Sequence, residues 1–307
     1  MTNYILCDKN TKKDVFKIDF VFVVLASLTA AVNSVLGKNY NLKVSEYKTR
    51  TEGYNLIMVF TALTIWAVAF FTEFSFDFKA LPYSLIFGVG YVMACYGYLS
   101  AIRYGSVALS ALFSKFSLIG ATIWGLIFWN AKVTSLTIIG LVLAALSVFF
   151  CVYKKEKNNV NFKWLIFSVC AFSGNVACTV IQKQEQMDFG GKYGNFFMFL
   201  SMLFAAVISF VLYLVKSGIN KPFEGFKIVK GKIIMPVISG GSNYLMNLFV
   251  MSLATSALNP AFIYPTISVL GISITTLASV FLFKEKPTRI QWVGIILGTA
   301  ACVILSL

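Results

Sequence analysis

The 307-residue chain is 58% apolar and 12% charged, contains no histidine and has a formal net charge of +14. Soluble domains carry about 25% charged residues, so this composition excludes an ordinary soluble fold. Most lysines lie between apolar stretches, where they can meet anionic lipid headgroups. We therefore expect a lipid bilayer as a partner of the chain, and no nucleic acid.

Long apolar stretches follow one another from Ile18 to Leu307, and each has about the ~20 residues that a helix needs to cross the hydrocarbon core. The stretches lack the apolar/polar alternation of barrel strands. Because no small-residue cleavage site follows the first stretch, we expect that span to be retained. The predicted transmembrane helices are residues 18–37, 54–72, 82–102, 106–129, 134–153, 163–182, 193–215, 233–254, 259–283 and 290–307.

The sequence holds little that could form a metal site or an enzyme centre. Its six cysteines include no C-x-x-C motif, and histidine is missing, so we predict no disulfide, no metal and no cofactor. An intramembrane enzyme needs a nucleophile with a base, paired aspartates or a metal. We therefore expect no catalytic residue, and a membrane scaffold subunit is the alternative to a transporter.

The chain contains an internal repeat with an offset of 154 residues. Each copy holds five spans, and an odd number of spans inserts the second copy upside down relative to the first. The sequence thus predicts an all-α membrane protein whose ten transmembrane helices form two inverted five-helix repeats. The predicted units are a polar segment at 1–17, repeats at 18–153 and 163–307, and a connecting loop at 154–162. The identical pairs are Ser114 and Ser268, Thr122 and Thr276, Lys132 and Lys286, Thr134 and Thr288, and Gly140 and Gly294.

The turn after the fourth span of each copy carries a motif. Residues 284–288 read Lys-Glu-Lys-Pro-Thr and lead into a helix with Gly294 in its first turns, and residues 130–134 read Asn-Ala-Lys-Val-Thr before Gly140. This pattern resembles the drug/metabolite transporter superfamily, in particular its ten-helix EamA-like members. The resemblance extends over essentially the whole chain.

The resemblance implies a carrier that moves small metabolites or drugs by alternating access, with all helices except the fifth and tenth around a central cavity. The lysine that often closes the first helix of the family corresponds to Lys38, while Leu118 and Ile272 replace its common prolines. Export of a metabolite such as an amino acid or organic acid is the first expectation. Multidrug efflux and metabolite uptake are the alternatives.

Lys115 is the most unusual polar residue, because it lies about ten residues past Gly105, ~15 Å along a helix. A lysine at this depth costs ~2.5–3.5 kcal/mol on insertion scales. We predict that it faces the cavity and binds substrate; bonding to nearby carbonyls is the alternative. Ser114 and Ser117 share a face of the same helix, and Ser268 would be a polar counterpart in the other copy.

Amides within the spans are further candidate substrate ligands. Asn243 and Asn247 lie at i and i+4 on one face of the eighth span, and Asn33 and Asn175 lie within the first helix of each half. Such amides either bind polar groups of a substrate or bond to a neighbouring helix. Tyr264 in the ninth span is a further candidate.

Acidic residues are expected only at or beyond the ends of spans, as with Asp19 and Glu185. A cavity whose only deep charge is a lysine favours an anionic, zwitterionic or neutral solute. On this reading no carboxylate is placed to relay protons.

Stripes of small residues predict close contacts between helices, as at Gly90, Ala94, Gly97 and Ala101 in the third span. These stripes either pack within one chain or form the face of a homodimer.

The orientation in the cell membrane is predicted differently by two criteria. The side of the termini carries 8 lysines and the opposite side carries 17 lysines and arginines, so the positive-inside rule places the termini outside. The family resemblance places them in the cytoplasm. The flanks of the first helix are balanced, and we keep the family orientation.

Overall fold

The computed structural model describes residues 9–43, 50–104, 107–129, 134–152, 162–217, 233–256, 258–283 and 288–306. Each predicted span falls on one helix, because an apolar segment must satisfy its backbone hydrogen bonds within itself when no water is near. The helices are α1 (Lys9–Lys43), α2 (Arg50–Thr72), α3 (Leu81–Tyr104), α4 (Val107–Phe128), α5 (Ser135–Val152), α6 (Phe162–Phe189), α7 (Gly194–Ser217), α8 (Ile234–Ala254), α9 (Pro260–Phe283) and α10 (Arg289–Ser306).

The described residues confirm an all-α chain with helices suited to a membrane. Helices α5 and α10 have 18 residues each, a length of ~27 Å that is close to the hydrocarbon thickness. A span count of ten and the inversion of the repeats stay predictions. Within the described residues, six helical segments are long and apolar enough to cross a bilayer: Ile18–Gly37, Glu52–Thr72, Phe78–Tyr98, Phe162–Phe189, Gly194–Lys216 and Pro260–Leu282.

The two ends of the bundle can be told apart by their contacts. We call end A the end at which α2, α4, α6 and α8 finish, and end B the end at which they begin. The connections meet at end A: Ser75 Oγ donates to the carbonyl oxygen of Lys192 at 3.0 Å, and Trp129 Nε1 donates to Gln184 Oε1 at 2.9 Å.

The most extensive contacts between helices follow a pattern that is preserved when α1–α5 are exchanged with α6–α10. The contact of α3 with α6 corresponds to the contact of α8 with α1. The contact of α4 with α6 corresponds to the contact of α9 with α1. Helix α2 packs against α7, and α5 packs against α10. In these contacts, helices that are five elements apart have equivalent neighbours.

Helices α3 and α6 approach each other at glycines. A Cβ on Gly174 would lie 2.5 Å from both the backbone nitrogen of Ala94 and the backbone oxygen of Gly90. A Cβ on Gly97 would lie 2.7 Å from the backbone nitrogen of Ala171. The small-residue stripe of the third span thus packs within the chain, against α6.

Apolar residues from α1, α4, α6, α8 and α9 form a buried group that we call the five-helix cluster. The cluster lies towards end A, because Leu253 and Phe262 flank the connection from α8 to α9. It separates the middle of these helices from end A. Its buried members are Val23, Ala26, Ala121, Val180, Val250, Leu253, Phe262, Ile263, Tyr264 and Ile267.

Candidate functional site

The structure brings together polar residues of α4 and α6 near the middle of the bundle. Asn175 Nδ2 donates to Ser114 Oγ over a long 3.5 Å and to the carbonyl oxygen of Ala171 at 2.9 Å. Ser117 is buried, and its Oγ donates to the carbonyl oxygen of Ser114 at 2.6 Å. The side chains of Ser114 and Asn175 are half-buried, so a polar surface is accessible at this level.

Asn243 and Asn247 face the same way on α8 and bond to each other. Asn247 Nδ2 donates to the carbonyl oxygen of Asn243 at 2.9 Å and to its Oδ1 at 3.1 Å. Across the contact with α6, Gln182 Nε2 donates to Asn247 Oδ1 at 3.3 Å. The amide pair therefore bonds to a neighbouring helix, which was one of the two alternatives.

Asn33 of α1 has one buried polar atom that forms no hydrogen bond with the described residues. Its Oδ1 is inaccessible and has no hydrogen-bond partner among the described residues. Nearby on α1, the carbonyl oxygen of Thr29 accepts a hydrogen bond of 2.9 Å from Ser242 Oγ of α8. A buried acceptor without a donor is costly, by ~1–3 kcal/mol, and it marks Asn33 as a place where a ligand or water can donate.

Two candidates on α9 are more enclosed than the amides. Tyr264 is 2% exposed and belongs to the five-helix cluster, and Ser268 is 1% exposed. Both therefore lie inside the protein rather than towards lipid.

The side chain of Lys115 lies outside the described part of the structure, so its direction stays a prediction. Two neighbours on the same stripe of α4 are described. Ile119 is half-buried and Thr122 is fully buried, so this stripe faces other helices.

A polar cluster at end A was not predicted from the sequence. The predicted span ends at residue 182, but α6 continues to Phe189. Gln182, Glu185 and Gln186 stand at i, i+3 and i+4, which is the spacing of one helical face, and this spacing is the signal that could have revealed the cluster. Its buried members are Gln182, Lys183, Glu185 and Gln186.

The burial of Glu185 is a feature that the sequence did not predict. Its side chain has no exposed surface, and it lies in the last turns of α6, which ends at Phe189. Its Oε2 accepts a hydrogen bond of 2.5 Å from Gln186 Nε2, and its Oε1 has no partner among the described residues. One face of these last turns is enclosed by protein, while Met187 and Asp188 are exposed.

Side chains of α6 also connect several helix ends at end A. Lys183 Nζ donates to the carbonyl oxygen of Ala254 at 3.0 Å and lies 5.5 Å from the centre of the Trp129 ring. Asp188 accepts a hydrogen bond of 2.6 Å from the Tyr83 hydroxyl. The ends of α3, α4 and α8 are thus joined to the last turns of α6.

End B is held differently, by an ion pair between Glu52 of α2 and Lys216 of α7. Lys216 Nζ also lies 5.6 Å from the centre of the Tyr96 ring. Glu52, Asn55 and Ser209 help to line a small cavity of about 20 Å³ beside the pair. This volume fits a single water molecule.

Comparisons with known proteins address the family and the fold. The family model described as "EamA-like transporter family" matches residues 18–153. A protein of Haemophilus influenzae (strain ATCC 51907 / DSM 11121 / KW20 / Rd), described as uncharacterized, is 23% identical over 208 residues, which are 67% of this chain and 68% of that protein. A protein of known crystal structure is similar with a TM-score of 0.70 and 8% identity, over 94% of this chain and 96% of that one.

The family match confirms the resemblance that the sequence motifs indicated. Together with the apolar helices, it points to an integral membrane protein that transports small solutes, and this family consists of transporters rather than enzymes. At 8% identity the structural similarity shows the fold alone.

Proposed function

We propose that this protein carries a small metabolite across the cell membrane by alternating access. The match of residues 18–153 to the EamA-like transporters supports this proposal. The substrate is neutral, zwitterionic or anionic, such as an amino acid or organic acid, and the direction is export. The observation that carries this proposal is the polar level at Ser114 and Asn175, which the five-helix cluster separates from end A.

The repeat gives the proposal its mechanism. We infer that 18–153 and 163–307 are inverted repeats, joined by 154–162 and preceded by a polar segment at 1–17. The exchange of α1–α5 with α6–α10 preserves the most extensive contacts between helices, which supports this inference. Inverted repeats can exchange conformations, so that a midplane site opens first to one side and then to the other.

Superposing the two halves tests the repeat. The helices of 18–153 should superpose on those of 163–307 through a twofold axis in the membrane plane. Halves related by an axis along the membrane normal would contradict the inversion.

The proposed substrate site lies among α1, α4, α6, α8 and α9. Lys115 would provide the charge that attracts a carboxylate, because an ammonium at membrane depth favours an anion. The remaining proposed ligands provide hydrogen bonds and shape, and they come from both repeats: Asn33, Ser114, Ser117, Asn175, Asn243, Asn247, Tyr264 and Ser268.

The described conformation supports an arrangement closed at end A. Apolar residues of the five-helix cluster are buried there, and Lys183 and Trp129 join α6 to its neighbours. Because the family orientation puts the termini in the cytoplasm, end A would be the cytoplasmic side. A reporter fused after Leu307 should then be active in the cytoplasm, and activity solely outside would reverse the assignment.

Counterflow in liposomes tests the function. Purified protein, reconstituted into liposomes loaded with unlabelled solute, should accumulate radiolabelled L-threonine or succinate above the level of protein-free liposomes. A positively charged probe, tetraphenylphosphonium, should not accumulate. Accumulation of the cation alone would favour multidrug efflux, and an absence of counterflow across amino acids, organic acids and cations would favour a scaffold subunit.

A further inference from the structure

Glu185 is buried in a way that disfavours its negative charge. The side chain has no exposed surface, one carboxylate oxygen accepts a single hydrogen bond from Gln186, and the other has no partner among the described residues. An ionised carboxylate loses its hydration in such surroundings and gains little in return. The neutral acid needs much less solvation, so this conformation favours a proton on Glu185.

The nearest charged groups on α6 do not compensate for this burial. Lys183 directs its ammonium to the carbonyl oxygen of Ala254 and the Trp129 ring. Asp188 is itself acidic and accepts hydrogen bonds from Tyr83 of α3 and from Gln184. Within the described residues, no cation lies within 4.0 Å of the Glu185 carboxylate.

Among the side chains that the structure describes, the other helices packed nearby also provide no counterion. Helix α8 contains no charged residue. The charged residue of α7 is Lys216, which pairs with Glu52 at end B, and the basic residue of α3 is Arg103, close to end B. In the turn after α6, Lys192 lies over the ring of Tyr193.

Glu185 also lies beside a buried polar chain that leads towards the middle of the bundle. Gln186 and Gln182 are each 3% exposed. Gln182 donates to Asn247, and Asn247 donates to Asn243. Buried polar side chains are rare in apolar bundles and commonly mark paths for water or ions. Separation of α6 from α8 would hydrate this chain and the Glu185 carboxylate together.

We propose that Glu185 is a proton-binding site linked to the opening of end A. It holds a proton while α6 and α8 are in contact and releases it to water at end A when the two helices separate. By linkage, acid stabilises the closed arrangement and alkali favours the open one. This inference rests on the proposed function in one respect, namely that end A opens.

Hydrogen–deuterium exchange of the full-length protein in nanodiscs tests the link without a substrate. Amides of residues 182–197 should exchange ~tenfold faster at about pH 9 than at about pH 5 after correction for intrinsic rates, since tenfold corresponds to one pKa unit of linkage. Glu185→Gln mimics the neutral acid and should exchange slowly at both pH values. Glu73→Gln removes an exposed carboxylate at the same end and should keep the response of the wild type.

Infrared titration of the same samples gives an independent reading. The wild type should show a protonated carboxyl band at neutral pH that is missing from Glu185→Gln and present in Glu73→Gln. The proposal is overturned if exchange in the wild type does not depend on pH. It is also overturned if Glu185→Gln keeps the pH response of the wild type or keeps the protonated carboxyl band. Because neither measurement uses a solute, these outcomes are independent of whether the counterflow assay succeeds.

Discussion

Replacement of Gly174 by alanine tests whether the contact between α3 and α6 determines stability. The new Cβ would lie 2.5 Å from the backbone nitrogen of Ala94 and the backbone oxygen of Gly90, and 2.9 Å from Met93 Cβ. Ordinary contacts of a Cβ begin near ~3.4 Å, so α3 and α6 must separate by ~0.9 Å. The backbone atoms cannot move alone, which places the cost of overpacking near ~3 kcal/mol.

Alanine also favours the helix by ~1 kcal/mol relative to glycine, so the expected net loss for Gly174→Ala is ~2 kcal/mol. At ~2–4 °C per kcal/mol for a chain of this size, the unfolding midpoint should fall by ~4–8 °C. Thermal unfolding in detergent micelles, followed by tryptophan fluorescence, measures this change.

Gly37→Ala provides the matched control. A Cβ on Gly37 meets nothing within 4 Å, so this variant gains the helix preference without a clash and should be as stable as the wild type or up to ~1 kcal/mol more stable. The reasoning is refuted if Gly174→Ala unfolds at or above the wild-type temperature, or if both variants lose the same stability.

The remaining predictions concern transport and the two ends. Lys115→Met should insert normally and lose most counterflow, while Lys115→Arg keeps part of it because the charge survives; Lys192→Met, at an exposed lysine, should transport as the wild type does. Lys216→Met leaves the buried Glu52 carboxylate unpaired and should lower the free energy of unfolding by ~1–3 kcal/mol, which is less than for a fully buried pair because Lys216 is partly exposed. In chemical unfolding, the double variant with Glu52→Gln should recover much of that loss. Trp129→Phe removes the hydrogen bond to Gln184, so exchange of the last turn of α6 should rise, whereas a slower exchange would contradict a role in closing end A.

Composition and periodicity were sufficient to predict helices and their order, because a bilayer demands apolar stretches of one length and backbone bonds within each stretch. The EamA-like motif at 130–134 and 284–288 was equally local, since a short turn between two helices needs only neighbouring residues. The family match to residues 18–153 agrees with that reading.

The end of α6 could not be predicted in the same way. Hydropathy stops the span at residue 182, where Gln182, Lys183 and Glu185 begin. Their burial depends on partners that are distant in sequence, such as Asn247 and Ala254. Hydropathy therefore predicts the end of a span at a polar residue, unless the groups that enclose this residue are known.

The helical class and the order of the helices could be predicted from the sequence, since both follow from local hydropathy, and the repeat stays a prediction from spacing along the chain. The packing of Gly174 against Ala94, the contact of Asn175 with Ser114 and the burial of Glu185 became known from the three-dimensional structure. The physical reason is that lipid accepts any apolar surface, so hydropathy does not specify which helix faces meet. That choice depends on close packing at small residues and on hydrogen bonds between side chains from different helices.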